Sequence, residues 1–117
     1  MMNKYGGPER RNFPRLNANF VVSYRVKEVP EGYDLSQTKN VGQGGILLTT
    51  NRKFENGTHL AMSIRFPFIA KRIEVTGAVV DSKEIVRDLI YETRIQFLDL
   101  DTEFFQKLGE FVKEHLK

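Results

Sequence analysis

Two short stretches of this chain carry side chains suited to holding an anion. The first is Arg10-Arg11-Asn12-Phe13-Pro14-Arg15. A guanidinium group is planar and permanently charged, and its fork of N–H donors meets a phosphate, or the O6/N7 edge of guanine, with paired hydrogen bonds. The second is Asn40-Val41-Gly42-Gln43-Gly44-Gly45. Asparagine offers both an acceptor and a donor to a base edge, and glycines permit close approach of an anion to backbone N–H groups. Each stretch also has a plainer reading, the first as a solvated charge run and the second as a tight turn that needs glycine at positive φ or at close backbone contact.

The distribution of charge favours a local anion site. Lys4, Arg10, Arg11 and Arg15 face the single acid Glu9 within residues 1–16, which accounts for the whole formal net charge of +3. The rest of the chain is balanced, whereas a protein that coats a nucleic-acid backbone spreads its excess charge over a face. Catalytic groups do not assemble. The serines are scattered, and His59 and His115 stand apart with no ligand spacing around them. Asp99 and Asp101 fall where a helix start favours acids. The absence of cysteine excludes disulfides and thiolate metal sites. No run approaches the length of a membrane span, and Met1 to Pro14 lacks the apolar core of a secretory signal, so a cytoplasmic, non-enzymatic protein without metal or cofactor is expected.

The elements that must position these groups follow from hydrophobic period. At 117 residues with 40% hydrophobic content the chain has material for one modest core. Residues 1–16, with Gly6-Gly7-Pro8 and Pro14 among charges, read as a flexible arm, and residues 17–117 as the folded unit. Phe20, Val22, Tyr24 and Val26 alternate with more polar neighbours, the signature of a half-buried strand. A polar strand from Tyr33 to Val41 follows, then a short one from Ile46 to Thr50. Leu60 to Phe66, Ile73 to Val79 and Tyr91 to Phe97 alternate again, the last two separated by a charged turn near Lys83 to Asp88. Phe104, Phe105, Leu108, Phe111, Val112 and Leu116 recur instead at helical spacing, with Asp101 as N-cap. The fold class expected is mainly β: a six-stranded antiparallel barrel with a C-terminal helix. Most aromatics fall on inward strand positions or on the helix, which argues against a surface for stacking single-stranded nucleic acid. The segment Phe66-Pro67-Phe68-Ile69 reads either as an exposed contact or as a loop capping the core.

Taken in order, Arg11-x-x-x-Arg15 before the first strand and Asn40-x-Gly-x-x-Gly45 at a strand junction resemble the PilZ domain family, whose paired motif is Arg-x-x-x-Arg and then Asp/Asn-x-Ser-x-x-Gly. Ile46-Leu47-Leu48, Phe97-Leu98-Asp99 and the terminal helix extend the likeness over nearly the whole chain. The resemblance implies a receptor for cyclic di-GMP that controls bacterial motility, adhesion or exopolysaccharide through an unknown downstream protein. Arg11 and Arg15 would grip phosphate oxygens and guanine edges, Asn40 would bond a guanine, and Gly45 would keep the turn close to the ligand. Arg10, just before the first motif arginine, implies a stacked pair of ligands per site, and the arm would fold onto the barrel when its charges are neutralised. Two departures stand out. Gly42 occupies the motif's serine position, which favours the alternative of a degenerate interaction module without nucleotide binding. Arg94 stands, on a strand, where similar sequences often carry glycine; its parity makes it exposed, and no role follows from the sequence.

Overall fold

A computed structural model describes residues 13–30 and 32–116. They form strands β1 (Leu16–Asn17), β2 (Val21–Val26), β3 (Asp34–Gly42), β4 (Gly45–Thr50), β5 (His59–Ile64), β6 (Ile73–Val86) and β7 (Ile90–Phe97), followed by helix α1 (Thr102–His115). All pairings are antiparallel in the order β1-β3-β2-β5-β6-β7-β4, and β3–β4 pairing closes the ring. Six strands therefore make the expected barrel, and the two-residue β1 is an addition.

The alternation works as anticipated where the barrel encloses a core. Val22, Tyr24, Ile46, Leu48, Leu60, Met62, Ile64, Val75, Val79 and Ile95 all point inward and are buried. Packed this way, each aliphatic side chain contributes about 1.5–3 kcal/mol relative to exposure. The open end is stoppered by aromatic rings. Phe66 is buried and packs against Phe20, Phe68 and Phe104, and Phe68 also meets Phe111. Phe66-Pro67-Phe68-Ile69 is thus a core-capping loop. Helix α1 starts at Asp101, whose carboxylate accepts from the Phe104 N–H at 3.2 Å, and it buries Phe104, Leu108 and Val112. Leu116 follows the helix as its C-cap and is exposed, and Phe105 lies off the core-facing stripe.

The charged turn expected near Lys83 to Asp88 is shorter than that. Strand β6 continues to Val86, and the reversal takes only Arg87, Asp88 and Leu89, with Asp88 at φ 60°. The outer half of this ribbon reaches beyond the core, so Ile85, Val86, Leu89 and Ile90 are exposed and the period-2 burial signal is lost there.

One buried hydroxyl positions the start of the described chain. β1 and β2 lie end to end along the same edge of β3, Leu16 and Asn17 opposite Val41 and Asn40, and Val21 to Tyr24 opposite Gln37 to Asp34. Between them the ladder breaks at residues 18–20. Thr38, fully buried, fills the break: its hydroxyl donates to the Ala18 carbonyl at 2.6 Å and accepts from the Phe20 N–H at 2.9 Å. Asn19 Nδ2 donates to the Thr38 carbonyl at 2.8 Å. The β3 ladder to β4 is also irregular between Thr38 and Asn40, which sets Lys39 apart from the register.

Replacing Thr38 by valine keeps the volume but leaves a part-buried N–H and a part-buried carbonyl without this partner, each costing about 1 kcal/mol or more. Thr38→Val should lower unfolding free energy by about 2 kcal/mol or more in chemical denaturation, and Thr38→Ser by clearly less. Equal losses for the two variants would contradict this account of the break.

Candidate functional site

The two motif stretches meet. Arg15 Nη1 donates to Asn40 Oδ1 at 2.6 Å, between residues at the entrance to β1 and inside β3. β1 makes the meeting obligatory, because its pairing with Val41 and Asn40 carries the preceding residues over the β3–β4 turn. Arg15 is exposed as a residue, yet burial partly desolvates its guanidinium and pushes its pKa below the ordinary value, with the Arg94 charge acting in the same direction. Among the described residues no carboxylate forms an ion pair with Arg15.

This pairing decides what the site can bind. With Asn40 Oδ1 accepting from Arg15, donors outnumber acceptors in the pair: the remaining guanidinium N–H groups and the Asn40 amide NH₂ stand against the one lone pair left on Oδ1. A ligand rich in acceptors suits such a pair, as phosphate oxygens and the O6/N7 edge of guanine are.

The turn residues have reasons that their types alone did not settle. None of Gly42, Gly44 or Gly45 is at positive φ, so close contact is what requires glycine here. A Cβ on Gly42 would lie 2.9 Å from the Pro14 carbonyl oxygen and 3.5 Å from Arg15 Cγ. The motif serine position is therefore occupied in space by the incoming chain. A Cβ on Gly45 would collide with the Ile95 carbonyl of β7, so this glycine serves strand packing. Beyond the turn, Phe13 packs edge-on against Phe105, ring centroids 5.8 Å apart. Gln43 Nε2 donates to the Phe105 carbonyl at 3.0 Å, and its amide fills the space where Gly109 lacks a side chain. The segment before β1 and the β3–β4 turn are thus both fastened to α1. Sequence reasoning missed this fastening, since a lone Phe, Gln and Gly carry no pattern.

Of the site residues expected, Arg15, Asn40, Gly42 and Gly45 lie together, whereas Arg10 and Arg11 fall outside the described residues. Leu47 and Arg94 join the same surface by register, Asn40 pairing with Leu47 and Leu47 with Arg94. Two clefts, of about 380 Å³ beside α1 and about 170 Å³ beside Tyr24, are lined by neither Arg15 nor Asn40. The first mixes Lys71 and Arg72 with Glu74, Asp99 and Asp101, so it has no single sign of charge to select an anion. Among the described residues no cluster of His, Cys, Asp or Glu is arranged to hold a metal ion, and no helix is long and apolar enough to cross a membrane.

A closed antiparallel barrel bearing a donor-rich arginine–asparagine pair on its outer face, with a helix across one end, defines the class. The sequence matches the PilZ domain family over residues 9–114, and the chain belongs to that family. Similar solved structures include the Bacillus subtilis inhibitor of motility MotI/DgrA, with TM-score 0.76 and 20% identity, covering 90% of this chain and 50% of that one. The K. pneumonia MrkH–c-di-GMP complex gives TM-score 0.72 and 18% identity, with 90% and 52% covered. The PilZ domain of Escherichia coli YcgR with c-di-GMP gives TM-score 0.67 and 11% identity, with 90% of each chain covered. The chain thus spans about half the length of MotI/DgrA and MrkH. Among curated proteins none matches.

The geometry separates the glycines by experiment. Gly45→Ala forces a Cβ into backbone and should cost about 3 kcal/mol, at the upper end of overpacking penalties. At Gly44 a Cβ would meet only the Phe13 ring at 3.3 Å, so Gly44→Ala should cost under about 1 kcal/mol, because that side chain can yield. Thermal or urea unfolding of the two variants side by side checks the ordering.

Proposed function

We propose that this chain is a cyclic di-GMP receptor module, without catalytic activity, that works in the cytoplasm. The observation that carries the reading is the 2.6 Å Arg15–Asn40 hydrogen bond, which joins the two halves of the motif into one donor-rich pair. In this reading Arg15 and Asn40 hold phosphate oxygens and a guanine edge against β3. Residues 1–16 are the arm, and Arg10 and Arg11 complete the grip when it closes. Arg10 brings a second, stacked ligand into the site. Family membership supports the choice of ligand, as do the similar MrkH and YcgR structures that contain c-di-GMP. Binding would reorganise the arm and present a changed surface to a downstream protein, so regulating motility, adhesion or exopolysaccharide.

The alternative of a module that no longer binds nucleotide rested on Gly42. Its weight falls once Gly42 is seen to make room for the Pro14 carbonyl, because a residue that admits the arm belongs to the site as well. The family's serine hydroxyl would contribute one hydrogen bond, about 0.5–1.5 kcal/mol, whereas a charge-assisted contact from arginine is worth about 1.5–3 kcal/mol.

Calorimetric titration with cyclic di-GMP, with GTP and linear pGpG as controls, should give selective binding. Arg15→Ala should weaken it about 10- to 100-fold. Gly42→Ser should change it by less than Arg15→Ala does. The expected stoichiometry is two ligands per chain; a value of one would remove the stacked-pair role of Arg10. No binding by the unaltered chain would refute the receptor reading.

A further inference from the structure

The strand register builds a row across the outer face of the barrel: Asn17, Asn40, Leu47, Arg94 and Asp81, contributed in turn by β1, β3, β4, β7 and β6. Neighbouring strands lie about 4.8 Å apart, so Asn40 and Arg94 stand roughly 10 Å from each other with Leu47 between them. Leu47 faces outward, because Ile46 and Leu48 on either side of it are fully buried. The row is therefore an apolar floor with Arg15 and Asn40 on one side and a second guanidinium on the other.

Arg94 is free to act there. Its contact with Asp81 is long, Nε to Oδ1 3.9 Å, and both side chains are about half exposed, 52% and 50%. Such a pair contributes little and gives way readily. The other acid on this part of the face, Glu92, is engaged by Lys39 at 3.1 Å. The register is rigid underneath: on the inner face Thr50, Thr93 and Ser82 form a chain of hydroxyl contacts at 2.9 and 2.8 Å across β4, β7 and β6. Thr50 gives its proton to the Arg52 carbonyl at 2.8 Å, so Thr93 donates to Thr50 and Ser82 to Thr93. Two like charges facing each other across an apolar floor leave a place that an anion would fill favourably. Burial is the larger cause of the depressed Arg15 pKa, and the Arg94 charge adds to it in the same direction.

Resting on the receptor reading above, we infer that Arg94 is the opposite wall of the nucleotide site: a purine ring lies on Leu47, and Arg94 neutralises a ligand phosphate from the side facing Arg15 and Asn40. Arg94 acts through its charge, so lysine can replace it where alanine cannot. Asp81 competes with the ligand for Arg94.

Calorimetric titration of cyclic di-GMP into the full chain and its variants tests this. Arg94→Ala should bind about tenfold more weakly and with a shallower dependence on salt. Arg94→Lys should stay within about threefold of the unaltered chain, and Asp81→Asn should bind about two- to threefold more tightly. Arg94 is exposed, so melting temperatures should be nearly unchanged, which separates a contact from a structural role. Affinity unaltered in Arg94→Ala while Arg15→Ala is impaired would overturn the inference and leave the receptor reading standing. Equal losses in Arg94→Ala and Arg94→Lys would overturn the assignment to charge. An unaltered chain that fails to bind would remove both the receptor reading and this one.

Discussion

A guanidinium that is partly desolvated and bonded to a neutral amide is not held in place by its own electrostatics. Losing hydration around Arg15 costs free energy, and its hydrogen bond to Asn40 returns only part of it. What fixes Arg15 is the path of its backbone. β1 pairs with the end of β3, Thr38 absorbs the break behind it, and Gly42 gives way ahead of it. The barrel thus holds a partly desolvated cation that has no carboxylate partner among the described residues. That condition suits a binding site for anions, because the ligand supplies the missing counter-charge.

The same reasoning explains why the site is shallow. Its floor is the outer face of a closed sheet, where side chains stand roughly perpendicular to the strands and cannot enclose a ligand from below. Within the described residues, the β1 pairing brings Phe13 to Arg15 to this face.

Much of this was legible in the sequence, for reasons that differ from residue to residue. Period-2 burial marked β2, β5, the first half of β6 and β7, because one face of each meets the core. The outer end of β6, Lys83 to Val86, reads as a turn in the sequence, because neither face of a projecting ribbon is buried and no period survives. Arg15 and Asn40 were legible as partners through their motif. Gly42 was legible as a departure but its spatial reason was not, since a missing hydroxyl is visible in sequence and an approaching carbonyl is not. Thr38 gave no signal, because a buried hydroxyl that mends a ladder break looks like any threonine in a strand. Arg94 was legible only as exposed, its neighbours being set by pairing among β3, β4 and β7.

The fastening of the site to α1 is weak by design of its parts. One hydrogen bond from Gln43 and one edge-on ring contact from Phe13 contribute about 1 kcal/mol each. The barrel beneath them draws on a folding free energy of about 5–15 kcal/mol. These two contacts are thus small beside the energy that holds the strands together. Since both contacts converge on Phe105, whatever moves the segment or the turn alters the same stretch of helix surface. Site and helix are thus linked through shared contacts at one residue, with the sheet serving as the fixed frame for both.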